Sequence, residues 1–481
     1  MDTSDLPNTA PAAQGKGMPR INLVTMFRLS LFQMGLGILA VLTLGVLNRV
    51  MIDELAIPAA IAATTLAVSQ FVAPARVWFG QVSDAKPLWG NHRTGYIWIS
   101  AALLTLILSL AVRVVWQLGE IVQAAGGWVW TVETGGWTAL LALLLGLYGL
   151  GVGASSTIFF TLLVDVSDED NRGKLIGIVW SMMTVGIAVG GISSKILLSP
   201  LENPNASIEL LRSSINGLFI LVPAIVFGLA LIATWGIEKK YSRYSSRSML
   251  PNREDQITLG NALKILSATR QTGIFFTFMF VLIFSLFMQE PVLEPYGGEV
   301  FGMPIPQTSL LNTFWGVGML MSLSATGFFL VPRLGKRNTT KLGCLSVAVC
   351  LVSIIVAGFT AKAMLFQVTL VLFGLSTGIA TTGALSLMLD LTAAETAGTF
   401  VGAWSLAQAI ARGAAIVGGG VVLNLGNSLF TTPVLAYSLV FALQALGMIV
   451  AISLLNWVDV NEFRKNTDSA ISTVMEGDID G

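Results

Sequence analysis

The sequence predicts an all-α polytopic membrane protein with twelve transmembrane helices in two pseudo-symmetric bundles of six. Three observations predict it. Of 481 residues, 54% are hydrophobic and only 11% charged, with a mean hydropathy of +0.77, whereas soluble domains carry about 25% charged residues. Apolar runs of about 20 residues, long enough to cross the hydrocarbon, recur along the whole chain. Residues of the first half also return in the second at a constant offset.

The elements follow in order. Residues 1–26 read as a disordered cytoplasmic tail: the first 20 are polar, contain Pro7, Pro11 and Pro19, and lack a cleavable signal pattern. The N-terminal bundle, 27–236, holds spans near 27–49, 59–80, 95–115, 137–164, 174–198 and 214–236. A cytoplasmic middle loop, 237–271, carries Leu259, Ala262, Leu263 and Leu266 at helical spacing, a pattern suited to the membrane surface. The C-terminal bundle, 272–457, holds spans near 272–291, 308–331, 341–361, 364–389, 398–424 and 433–457. An acidic cytoplasmic tail, 458–481, ends the chain with Asp468, Glu476, Asp478 and Asp480. Lys and Arg concentrate in the loops on the side of both termini, including Arg28, Lys86, Arg93, Arg172, Lys239, Lys240, Arg333 and Arg337. Arg49, Arg113, Lys195, Arg212 and Lys362 lie toward the other face, so both termini are expected in the cytoplasm.

At an offset of 225 residues, Gly149 matches Gly374, Gly153 matches Gly378 and Asp165 matches Asp390; Gly173 and Gly177 match Gly398 and Gly402. Such spacing implies duplication of a six-helix unit, an arrangement that commonly encloses a site near the bilayer midplane. The balance of 27 basic and 27 acidic residues gives no sign of nucleic-acid binding. The glycines of 146–153 and 418–420 lie in apolar runs without a following Gly-Lys-Ser/Thr, so they read as helix-packing positions rather than nucleotide loops. Cys344 and Cys350, six apart in one run, read as packing residues. No nucleophile–base pair or cofactor loop stands out, and the chain is not expected to be an enzyme.

The richest segment is Phe287-Met-Gln-Glu-Pro-Val-Leu-Glu-Pro-Tyr-Gly-Gly298. Glu290 and Glu294 end an uncharged run, and each precedes a proline that discourages helix continuation and frees carbonyls. A carboxylate there needs a partner, a proton, a ligand or the headgroup region. Arg49, at the end of the first span, is the preferred partner of Glu290. Arg412, deep in the eleventh span, is a second buried cation, with Asp390 or a substrate carboxylate as candidate partners. Trp116, Trp128, Trp130 and Trp137 crowd one loop and read first as an interfacial aromatic belt. His92, the only histidine, sits in a basic turn with a structural or solvated role expected.

Gly80-Gln-Val-Ser-Asp-Ala-Lys86, followed by Asn91-His-Arg-Thr-Gly95, resembles the signature loop of the major facilitator superfamily. In that loop Gly80 lets helices approach closely, and Asp84 caps a neighbouring helix N-terminus or pairs with a basic residue such as Arg172 or Arg93 to hold a closed state, with Lys86 part of the basic turn. The corresponding Val331-Pro-Arg-Leu-Gly-Lys-Arg337 lacks the aspartate. Pro87-Leu-Trp-Gly90, Tyr96-Ile-Trp98, Leu47-Asn-Arg-Val-Met-Ile52, Gln289-Glu290 and Leu293-Glu-Pro-Tyr-Gly-Gly298 further resemble the PucC/LhaA, or bacteriochlorophyll delivery, family over roughly residues 25–460. That resemblance implies assembly of light-harvesting antenna or photosystem complexes in a photosynthetic membrane, thylakoid or bacterial. The ligand is then chlorophyll or bacteriochlorophyll, with carotenoid as a further pigment, and the partners are antenna or photosystem polypeptides and the chlorophyll synthesis machinery.

With no histidine in the membrane, the magnesium of a pigment bound there takes oxygen from Glu, Asn, Gln, a backbone carbonyl or water: the side-chain candidates are Glu290, Gln289, Asn48, Asn312 and Gln408. Glu294, Tyr296, Arg49 and Arg412 complete the candidate pigment or gating site. The alternative function is a proton-coupled exporter of a small amphiphile, with Glu290 carrying the proton.

Overall fold

Because a lipid-exposed backbone has no water to bond to, a chain this apolar must close its hydrogen bonds within each segment, and helices result. A computed structural model describes residues 21–72, 75, 78–79, 82–83, 87–167, 169–203, 207–242, 270–390 and 397–458. The helices are α1 (Leu23–Glu54), α2 (Ala59–Phe71), α3 (Thr94–Ala124), α4 (Val132–Val166), α5 (Glu169–Leu197) and α6 (Ile208–Thr234). They continue with α7 (Arg270–Phe287), α8 (Leu293–Phe301), α9 (Leu311–Ala325), α10 (Lys336–Thr360), α11 (Ala363–Asp390), α12 (Ala397–Leu429) and α13 (Pro433–Trp457). Among the described residues, nine helices are long and apolar enough to cross a membrane, and Ala59–Phe71 and Gly273–Phe287 are shorter apolar ones. The chain is an integral, multi-pass, all-helical membrane protein.

Several boundaries move from their sequence-based positions. The first span does not stop at Arg49: α1 continues to Glu54 through two π-helical stretches, Val41–Leu47 and Val50–Glu54. Wider turns let the helix carry polar side chains inward without breaking its backbone ladder. The seventh span, expected to reach 291, ends at Phe287, and the chain passes through turns to α8, an element absent from the sequence reading. Pro291 terminates the first helix, whereas Pro295 sits in the first turn of α8, where its missing N–H costs nothing. Gly302 closes α8 in the left-handed region, φ 64°.

The glycines of the repeat explain the packing. A methyl placed on Gly149 of α4 would collide with the backbone of Ser69 on α2, and one on Gly374 of α11 with the carbonyl of Trp315 on α9. The two matched residues thus do the same work at corresponding crossings, holding backbones in contact where apolar burial gives no net drive in lipid. Gly37 and Gly186 do likewise between α1 and α5, against the carbonyls of Met183 and Met34. Helices α1–α6 pack among themselves, as do α7–α13; the two groups meet chiefly along α2 against α12 and α5 against α9.

The described polar contacts between the groups gather toward the end of α1 that carries Arg49, here called the Arg49 end. Thr313 donates to Ala188 O at 3.2 Å, and Gly191 and Gly420 lie against Ser309 and Ala59 respectively. Cys344 and Cys350 are buried free thiols, with Cys350 Sγ 3.6 Å from Ser376 Oγ. Trp116 departs from the expected interfacial belt: it is buried and donates to Asn216 Oδ1 at 3.1 Å. Its neighbour Trp130 is exposed, and Trp128 and Trp137 are half-buried against the core.

Gly374→Ala is expected to destabilise the detergent-solubilised protein by about 1–3 kcal/mol, the cost of overpacking a tight core contact. Gly228→Ala, at a helical glycine with open space around its Cα, is expected to be neutral or slightly stabilising. Thermal unfolding of the two variants side by side checks this.

Candidate functional site

The polar residues predicted from sequence divide into three groups. The first closes the Arg49 end. With α1 extended to Glu54, Arg49 faces Asp53 one turn later, Nε to Oδ2 3.3 Å. It also donates to Met303 O at 2.7 Å and to Thr308 Oγ1, both in the other half of the chain. The expected Arg49–Glu290 pair is therefore not formed. The extra turns of α1 supply a nearer carboxylate, and the unwinding after Phe287 carries Glu290 elsewhere. Beside Arg49, Asn48 is fully buried and donates from Nδ2 to Pro291 O at 2.5 Å. Asn312 donates to Glu294 Oε1 at 2.7 Å, and Glu294 abuts Gly45, whose hydrogen alone leaves room for the carboxylate. Asn48 Oδ1 and Glu294 Oε2 are buried without a hydrogen-bond partner. Tyr296 is packed among Phe301, Phe366, Tyr437 and Phe441 and donates to Ile354 O at 2.9 Å, which makes it a core residue of the second half.

The second group is an ion pair within that half. Arg412 of α12 grips Glu290 with two donors, Nη2 to Oε1 at 2.5 Å and Nε to Oε2 at 3.1 Å. The Phe287 ring lies 4.6 Å from the guanidinium carbon. Neither Asp390 nor a substrate is needed to explain this cation. Arg412 stays 30% exposed and Glu290 13%, so the pair is reachable rather than sealed. It borders the seam between the halves, where the next residue, Gly413, contacts Phe71 of α2. Both Glu290 oxygens accept from Arg412, so a metal at Glu290 has to displace that donor. Gln289 accepts from Gln444 Nε2 at 2.8 Å, and Gln408 is half-buried on α12.

The third group lies at the opposite end. Gly80, Asp84 and Lys86 of the signature loop, and the side chain of Arg172, are outside the described residues. Arg93 is buried and bonds Asp165 Oδ2 through Nε at 3.0 Å and Ser83 Oγ through Nη1 at 2.6 Å. Asp165, noted in the sequence only as a repeat position, is thus a partner that sequence reasoning missed. So is Glu238, which accepts from the backbone N–H of His92, Arg93 and Thr94 and from the Thr94 hydroxyl at 2.5–3.2 Å. It ties the start of α3 to the short helical segment Ile237–Tyr241 that follows α6. The segment Pro87-Leu-Trp-Gly90 makes a tight turn in which Leu88 and Asn91 exchange backbone bonds while Trp89 and Gly90 adopt φ of 52° and 74°. His92 is a half-buried member of this turn.

Comparison with known proteins adds the family. The family model for "PUCC protein" matches residues 46–463. The chain belongs to the PUCC protein family. It is 30% identical over 432 residues to the "Bacteriochlorophyll synthase 44.5 kDa chain" of Rhodobacter capsulatus, covering 89% of this chain and 93% of that one. It is 28% identical over 443 residues to "Protein PucC" of the same organism, covering 90% and 92%. Among solved structures, nucleoside transporter NupG superposes with a TM-score of 0.65 at 13% identity, covering 91% of this PUCC family chain and 99% of NupG. This shows the fold of major facilitator transporters.

Two outcomes follow from the geometry. A double-mutant cycle of Glu290→Gln and Arg412→Leu is expected to show non-additive thermal destabilisation, with a coupling of about 0.5–3 kcal/mol. Gly45→Val is expected to push Glu294 aside and open the Arg49 end. Faster thiol labelling of cysteines introduced there, relative to the parent, checks that.

Proposed function

We propose that this chain assembles light-harvesting antenna or photosystem complexes by carrying or organising chlorophyll or bacteriochlorophyll, without catalysing a reaction. The observation that carries the reading is its match, over nine-tenths of its length, to relatives named for PucC and for bacteriochlorophyll synthesis. The motifs shared with the bacteriochlorophyll delivery family support it, and the transporter fold supplies a seam between two halves in which an amphiphile is held.

In this reading the halves rock about the pigment, the Arg49 cluster shuts one end, and Glu290–Arg412 offers charged donors and acceptors to the bound molecule. Oxygen ligands suit magnesium. Glu290, whose oxygens Arg412 holds, supplies one only by displacing that donor; the unpartnered Oδ1 of the fully buried Asn48 supplies one only when the Arg49 end opens, and the Gln408 amide is half-buried. Both termini face the cytoplasm of a photosynthetic cell, and the partners are antenna or photosystem polypeptides and the pigment-synthesis machinery.

Mild-detergent purification tests this directly. Wild-type protein is expected to retain (bacterio)chlorophyll, seen in its absorption spectrum, together with antenna polypeptides identified by mass spectrometry. Arg412→Leu is expected to retain about tenfold less pigment, equivalent to one lost charged contact of about 1.4 kcal/mol. Pigment-free protein that drives proton-coupled uptake of an unrelated solute would establish the exporter instead.

A further inference from the structure

Where α1 begins and α6 ends, a half-open cavity of about 390 Å3 lies between them. Asn22, Thr25 and Arg28 line it from one side, and Trp235, Lys240 and Tyr241 from the other. Its side-chain charge is of one sign. Arg28 and Lys240 are both cations, while the acid of the same short segment, Glu238, is buried and bonded to the start of α3.

Among the described residues, the Arg28 guanidinium is oriented by carbonyls and not paired with a carboxylate. Nε donates to Ile232 O at 2.7 Å and Nη2 to Trp235 O, carbonyls that bear only partial charge. Lys240 Nζ stands 5.1 Å from the Tyr241 ring centre, and Asn22, whose Oδ1 accepts from Thr25 N at 2.8 Å, keeps its amide donors for another acceptor. Around this basic mouth the surface turns apolar, with Val24, Phe27, Ile232 and Trp235 all exposed. Cations inside a pocket, with exposed hydrocarbon beside it, match a phosphate headgroup whose acyl chains lie along the helices.

We infer that this cavity binds the phosphate of an anionic membrane lipid and so braces α1 against α6. The site shares no residue with the Glu290–Arg412 pair and stands whether or not the chain handles pigment. Native mass spectrometry of the full chain in detergent, offered phosphatidylglycerol or phosphatidylcholine, tests it. Phosphatidylglycerol is expected to be retained preferentially. Lys240→Gln, which removes the cation beside Tyr241 but keeps a polar side chain there, is expected to weaken that retention about fivefold, and Lys240→Arg to restore it. Equal retention of the two lipids, or no effect of Lys240→Gln, overturns the proposal. Displacement of phosphatidylglycerol by inorganic phosphate keeps the phosphate site but overturns the lipid as its source.

Discussion

A guanidinium in the apolar interior must be neutralised and have its donors met on the spot, and the closure of one end of this molecule depends on how Arg49 meets that requirement. A carboxylate one turn along its own helix approaches Nε at 3.3 Å without a hydrogen bond, while two of its other donors reach a carbonyl and a hydroxyl in the opposite half. Satisfying Arg49 thereby seats the 303–308 segment against α1, which positions Asn48 on Pro291 and Glu294 beside Gly45. Breaking a buried pair costs more than the pair contributes, so the halves separate at this end only if Arg49 and its partners are resatisfied together.

Glu290 and Arg412 answer the same requirement differently. Both belong to one half, so their bond does not oppose movement between halves, and their partial exposure leaves them open to a ligand. The two arginines thus divide the work: one holds the halves together, the other faces the seam between them. At the far end, Arg93–Asp165 and the Glu238 bonds lie inside the first half and keep its helix termini in register.

Much of this was legible in the sequence. Hydropathy gave the helices to within a few residues in most cases; the α13 span is read as 433–457 and observed as Pro433–Trp457. Period and offset marked Gly149 and Gly374 as a pair before their common packing role was visible. The polar residues worth attention (Asn48, Arg49, Glu290, Glu294, Asn312, Arg412) were recognisable because charge and amides are costly in hydrocarbon. Their pairing was not. Glu290–Arg412 depends on how two distant helices meet, and Arg49–Asp53, four residues apart on one helix, is missed when the span is ended at Arg49, whereas the helix continues to Glu54. Trp116 shows the complementary error: an aromatic near a span end reads as interfacial unless Asn216, a hundred residues away, is known to receive its indole N–H. Glu238 was unreadable for the same reason, since its partners are backbone groups.

The wide turns of α1 store a rotation. Relaxing one π-turn to α-helical geometry turns everything beyond it by about 100° around the helix axis, the angle of one residue. Asn48 and Arg49 lie just past Val41–Leu47, so that change swings both away from Pro291, Met303 and Thr308 at once. A local rewinding of that stretch would therefore release the end of the molecule they close without any change in helix tilt.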